Sequence, residues 1–156
     1  MNRHYPKRIF ITGASRGLGL EFTSQFLKGG NHVFAACRDT SRATDLVKLK
    51  SEYPETCVLI DLDVGDITSI DTSFKTVQAQ TDALDVFINN AAHTTDLHET
   101  LADIQPNVML RHFQVNTMAP VLLAQKYLPL LRQGRDAKLA TISSEAGGNI
   151  ATYFQI

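Results

Sequence analysis

The sequence predicts an α/β fold: a doubly wound parallel sheet with helices on both faces, forming a single domain over residues 1–156. Three observations carry this expectation. Short apolar runs alternate along the chain with segments of helical period. The first run leads into a glycine-rich turn, Thr12-Gly13-x-x-x-Gly17-x-Gly19, and then into an amphipathic stretch. Each of the remaining runs is followed by polar residues, and ligands of such sheets sit outside the carboxyl ends of the strands.

Ile9 to Ile11 is the first predicted strand. The helix after the turn sets Leu18, Phe22 and Phe26 on one face, and Gly29-Gly30-Asn31 stops it. His32 to Ala36 is the second strand, and a helix from about Thr40 to Glu52 is closed by Pro54. Cys57 to Ile60 is the third strand. Asp66 can cap a helix whose Ile67, Ile70, Phe74 and Val77 recur at helical spacing. Leu84 to Ile88 is the fourth strand, and a polar loop runs from Asn89 to about Asp103. A long helix, roughly Pro106 to Arg132, offers Phe113, Val121, Ala124, Leu128 and Leu131 as core candidates. Lys138 to Ser143 is the fifth strand, expected as an exposed edge whose apolar run favours self-association.

Composition narrows the function classes. The chain is 44% hydrophobic and 20% charged with a formal net charge of -1, which suits one globular core and gives no sign of a nucleic-acid or anionic-membrane partner. No apolar run approaches the roughly 18 residues of a membrane span. The basic amino-terminal residues precede no signal-peptide apolar region. Cys37 and Cys57 make neither a disulfide framework nor a metal set and read as buried thiols of a cytoplasmic protein.

The chemistry is expected at the strand ends. Glycines let the first turn take positive φ and let a ligand lie on the backbone, and the helix then opens with free N–H groups that suit a phosphate. Thr12, Gly13, Ser15, Arg16, Gly17, Leu18 and Gly19 are therefore candidates for a pyrophosphate cradle, although such a turn can also be only a turn. After the second strand, Arg38 together with Arg16 could flank a 2′-phosphate, which favours NADP, while Asp39 keeps NAD as the alternative. After the third, Asp63 is placed to accept from an adenine amino group, with Val64 beside it, unless the carboxylates there only cap the next helix. After the fourth, the amides of Asn89 and Asn90, followed by Ala91, can hold backbone edges open beside a ligand. After the fifth, Ser144 would sit at the nicotinamide end.

Taken together, Thr12-Gly13-x-x-x-Gly17-x-Gly19, Asp63-Val64, Asn89-Asn90-Ala91, Asn116 and Ser144 make the chain resemble the short-chain dehydrogenase/reductase family along essentially its whole length. Cys37-Arg38-Asp39 and the Asn116 helix look most like its C-factor-type branch. Ala92 stands where the family's third motif usually closes with glycine. The resemblance implies a Rossmann-like sheet in order 3-2-1-4-5, NADP (NADPH) as cofactor, a small-molecule carbonyl or alcohol as substrate, and a homo-oligomer. It also implies an Asn, Ser, Tyr and Lys as the catalytic set, of which Asn116 and Ser144 match. From the residues themselves, Pro120 removes the helical partner of the Asn116 carbonyl, so the helix should kink or take in water there. The family's Tyr-x-x-x-Lys has no counterpart here: Tyr153 is the only tyrosine after Ser144, and it lies too close to it. The expectation is therefore the amino-terminal part of an NADP-dependent oxidoreductase, truncated before the last strands and catalytically incomplete. The alternatives are a non-catalytic dinucleotide-binding or interaction module and a truncated product that folds poorly.

Overall fold

The computed structural model describes residues 5–94, 105–143 and 154–155. Six strands form one sheet in the order β3-β2-β1-β4-β5-β6. They are β1 (Arg8–Thr12), β2 (His32–Cys37), β3 (Cys57–Asp61), β4 (Val86–Asn89), β5 (Lys138–Thr141) and β6 (Phe154–Gln155). The first five run parallel in the expected 3-2-1-4-5 order, and β6 pairs antiparallel with β5. The edge of β5 expected to be open is thus paired at Lys138 and Leu139. The helices are α1 (Gly17–Lys28), α2 (Thr44–Glu52, after a 3-10 turn at Thr40–Arg42), α3 (Ile67–Gln78), α4 (Pro106–Phe113) and α5 (Ala119–Arg132).

The central strands β1, β2 and β4 are buried on both sides, as parallel sheets require, while β5 is only partly covered. Along β1, Phe10 enters one core layer while Ile9 and Ile11 enter the other. Phe10 meets Phe87 edge-on at 5.0 Å and Tyr127 at 4.5 Å between ring centroids, and Tyr127 meets Phe74 at 5.3 Å. The Tyr127 hydroxyl is satisfied by Ser73 Oγ at 3.0 Å, which lets a phenol lie fully buried. The opposite layer holds Val33, Ala35, Leu27 and Leu46 with the thiols of Cys37 and Cys57. Burial raises the pKa of Cys37 and carries that of Cys57 up to about 11, so both are inert packing groups.

Two expected helix faces are corrected. Leu18 is 60% exposed, and α1 buries Gly19, Thr23 and Leu27 instead. Gly19 has no side chain, so the first helical turn settles against the glycine loop with that face inward. Leu18, one residue and about 100° earlier, then points out. On the long helix Phe113 and Val121 are exposed, Ala124 and Leu128 are partly buried, and of the expected set only Leu131 is fully buried. The core takes Val115, Ala119, Leu123, Tyr127 and Leu130. The segment is apolar on adjacent faces, so period alone does not fix its phase. Tyr127, whose hydroxyl finds Ser73, does. The irregularity expected from Pro120 is a π turn over Gln114–Met118, where the Ala119 N–H donates to the Gln114 carbonyl.

Strand β4 begins later than the sequence implies, because Asp85 serves as a junction. Its carboxylate accepts from the Arg8 backbone N–H (2.8 Å), Arg8 Nε (3.1 Å), Arg8 Nη2 (3.0 Å) and the Arg135 N–H (2.7 Å). Burial alone would raise the carboxyl's pKa. The hydrogen bonds from the Arg8 side chain and from the two backbone N–H groups outweigh it and hold the group below the usual carboxylate range. A depressed native pKa contributes stability above the unfolded-state value near 4, and that stability is lost as pH falls through the native value. Asp85→Ala is expected to cost about 3 kcal/mol at pH 7 and to remove the corresponding part of the acid destabilisation. Urea titrations of both proteins from pH 7 to pH 3 check this. Parallel stability curves for the two proteins would contradict it.

Candidate functional site

The turn between β1 and α1 is locked to the end of β4. Thr12 Oγ1 accepts the N–H groups of Asn90 and Ala91, both at 3.0 Å. In return Asn90 Nδ2 donates to the carbonyls of Thr12 (3.0 Å) and Gly13 (3.2 Å). Gly13 has φ +69, and a Cβ there would lie 2.8 Å from Ala91 Cα. A Cβ on Gly19 would fall on the Gly13 carbonyl oxygen. Gly17 has φ +56, but a Cβ there would meet nothing. Helix α1 then begins at Gly17, preceded by Arg16 in extended conformation, whose side chain does not cap the first N–H groups. By contrast, Asp66 caps α3 through the Thr68 N–H, as expected.

A cleft of about 420 Å³ opens above this turn. Gly13, Ser15, Arg16 and Gly17 line it from the turn, Arg38 from the end of β2, Asp63 and Val64 from the end of β3, and Asn90 and Ala91 from the end of β4. Residues chosen from four separate strand ends therefore share one cavity. Thr12 is buried behind it and Gly19 packs beneath the turn, while Leu18 faces solvent. Ser144 lies outside the described residues.

Asn116 is placed by the π turn against the loop after β4. Its Oδ1 accepts the His93 N–H and its Nδ2 donates to the His93 carbonyl, both at 2.8 Å. The His93 and His112 rings meet at 4.8 Å between centroids, tilted by 59°, beside it. Asn89 is buried below, with Nδ2 3.4 Å from the Pro120 carbonyl, while its Oδ1 has no partner among the described residues.

Sequence reasoning missed Arg111, which lines the same cleft from α4. Asp63 is not a free acceptor as expected: Arg111 Nη2 donates to both of its oxygens at 3.0 Å, and Oδ1 also accepts the Gly65 N–H at 2.9 Å. A lone cation after the apolar run Val108-Met-Leu was the available signal, but spacing alone gives it no partner. Asp39, the residue that kept NAD in play, turns away to cap the 3-10 turn, accepting from the Ser41 N–H (3.1 Å) and Ser41 Oγ (2.6 Å). The Ser41 hydrogen bond holds its carboxyl below the usual range.

A model of the short chain dehydrogenase family matches residues 7–154 of this chain. The chain belongs to the short-chain dehydrogenase family. It is 31% identical over 143 residues to the short-chain dehydrogenase RED3 of Pyricularia oryzae, covering 89% of this chain and 57% of that protein. Among solved structures, NADPH-bound carbonyl reductase from chicken fatty liver aligns with a TM-score of 0.74 and 35% identity, over 82% of this chain and 52% of that one. A short-chain dehydrogenase from Streptomyces avermitilis aligns with a TM-score of 0.82 and 27% identity, over 96% and 53%. The chain thus spans about half the length of the relatives it matches.

The two glycines that end the loop make a contrasting pair. Gly17→Ala should cost about 1–2 kcal/mol, the penalty of a left-handed L residue, and leave the turn in place. Gly19→Ala must displace the Gly13 carbonyl, so it is expected to lower the melting temperature further and to shift the Gly13 and Asn90 amide resonances. Equal melting temperatures and undisturbed resonances in Gly19→Ala would contradict the packing described.

Proposed function

We propose that the cleft binds NADP(H), and that the chain is the dinucleotide-binding part of an oxidoreductase acting on a small-molecule carbonyl or alcohol. The observation that carries this reading is the uncapped start of α1 behind a glycine turn, facing a cleft that holds two unpaired guanidinium groups. Neither Arg16 nor Arg38 pairs with a carboxylate among the described residues, whereas Arg8 and Arg111 both do. Free guanidinium groups suit a 2′-phosphate, and Asp39 is engaged by Ser41 through Oδ1 rather than lining the cleft. The NADPH-bound chicken carbonyl reductase and the L-sorbose reductase of Gluconobacter frateurii complexed with NADPH and L-sorbose support the same choice by likeness.

The residues present fit such a group. Ser15, Arg16, Gly17 and Leu18 would meet the pyrophosphate, with Gly13 and Gly19 shaping the turn. Thr12 and Asn90 hold that turn to β4. Arg38 would meet the 2′-phosphate, and Asp63, Val64 and Ala91 the adenosine half. When bound, the cofactor supplies or accepts hydride. Ser144 would hold the substrate oxygen. Asn116, already fixed to His93 through its side chain, would set the backbone of the π turn beside the reacting groups. Residues 1–156 contain no Tyr-x-x-x-Lys to move the proton, and general acid–base catalysis contributes about 10²–10⁴-fold. This polypeptide should therefore bind cofactor with turnover near background. The exposed Met109, Leu110, Phe113, Met118 and Val121 along α4, the π turn and α5 support assembly as a homo-oligomer. Among the described residues no helix is long and apolar enough to cross a membrane. The buried free thiols favour the cytoplasm.

Cofactor choice is measured by NADPH and NADH fluorescence titration. NADPH should bind more tightly, and Arg38→Ala should narrow the gap by about 1.5–3 kcal/mol, the scale of a hydrogen bond to a charged group. Equal dissociation constants in the unmutated protein would rule out the NADP reading. NADPH oxidation at background rates, with or without Ser144→Ala, fits the incomplete site; robust turnover that depends on Ser144 would refute it.

A further inference from the structure

Helix α4 is attached to the domain in an unusual way. None of its residues is buried, and Met109, Leu110 and Phe113 lie exposed. Yet it runs directly into the π turn that carries Val115 into the core and Asn116 to the β4 loop. Within α4, Arg111 ties the helix to the body through one guanidinium nitrogen. Its Nη2 donates to both Asp63 oxygens at 3.0 Å, and its guanidinium lies over Gly65, where any Cβ would strike Nη1 and Cζ. The receiving loop is itself fixed. The Asp63 N–H donates to Ser69 Oγ at 2.9 Å, and the Gly65 N–H donates to Asp63 Oδ1. A glycine that makes room for the guanidinium, a carboxylate that also accepts the Gly65 N–H, and a backbone held by Ser69 distinguish this pair from an incidental surface ion pair, which contributes little.

We infer that Arg111 is a positioning residue that ties helix α4, and through it Asn116, to the Asp63 wall of the cleft. The ligand half of this inference rests on the dinucleotide reading above. Among the described residues Asp63 Oδ2 accepts from Arg111 alone and keeps acceptor capacity for the exocyclic amine of a purine. The guanidinium balances the charge of the carboxylate when a base covers it. Occupation of the purine end of the cleft and the placement of Asn116, five residues beyond Arg111 in the π turn that continues α4, are then linked through one ion pair. Because a single nitrogen serves both oxygens, a lysine can replace the arginine in part.

Hydrogen–deuterium exchange of amides 106–118 tests this on the whole chain, in the unmutated protein and in R111M, R111K, D63N and the R111M/D63N double variant. In ligand-free protein, R111M and D63N should each speed exchange of that segment by roughly tenfold or more, the scale of a hydrogen bond to a charged group. The double variant should be no faster than either single variant, R111K should restore most of the protection, and amides of β1 and β2 should not change. Adenosine monophosphate should slow exchange of 106–118 in the unmutated protein and not in R111M. Unmutated-like protection in R111M, or additive effects in the double variant, would overturn the tether. Adenosine monophosphate that binds without slowing 106–118 would overturn the link to the purine end. If neither adenosine monophosphate nor NADPH binds at all, the dinucleotide reading fails with that link, and the ligand-free comparison still decides the tether.

Discussion

The reciprocal hydrogen bonding between Thr12 and Asn90 is the constraint on which the rest of the site depends. One hydroxyl accepts two N–H groups from the end of β4, and one amide nitrogen returns two hydrogen bonds to the carbonyls that open the glycine turn. The two strands are neighbours in the sheet, paired at Ile11 and Ile88, so the latch sits where their chains leave the ladder. It forces Gly13 into positive φ against Ala91, and it presses the first turn of α1 so close that Gly19 has no room for a Cβ. The free N–H groups of α1 are thereby aimed at the cleft by β4 as much as by β1.

The sheet supports this latch from both sides. Burial of alternate β1 residues in two separate layers fixes the strand's rotation, and the aromatic group of Phe10, Phe87 and Tyr127 fixes α5 against it. At the opposite ends of the strands Asp85 gathers Arg8 and the backbone of Arg135, pinning β1, the start of β4 and the approach to β5 together. The polar junctions thus lie at the two ends of the strands, and the apolar layers between them carry the hydrophobic stabilisation.

Much of this was legible in the sequence because it is encoded locally. The parallel sheet follows from alternating apolar runs and helical segments, its strand order from the family resemblance, and the glycine turn announces its own positive φ. Arg16, Arg38, Asp63, Val64, Asn90 and Ala91 could be placed in one cavity because each stands just past the carboxyl end of a strand. The features that stayed hidden depend on distant partners. Nothing near Arg111 in the chain marks Asp63 as its mate, and nothing near Asp85 marks Arg8. The phase of the long helix depended on whether a tyrosine hydroxyl would find Ser73, which is a tertiary fact. Pro120 did signal a break at Asn116, yet whether that break would be a kink or a π turn is set by how Val115 and Ala119 both reach the core. Ser144 lies outside the described residues, so the expectation for it rests on its position after the fifth strand and on the family resemblance.

The central claim is that the latched glycine turn presents the start of α1 to a dinucleotide phosphate. An amide-resolved NMR titration with NADPH tests it most directly. The account predicts saturable shifts at the amides of Ser15, Arg16, Gly17 and Leu18, with Asp63 and Val64 moving in step at the same ligand concentrations. NADPH that leaves those amides unmoved, or that shifts only residues away from the ends of β1 and β3, would contradict it.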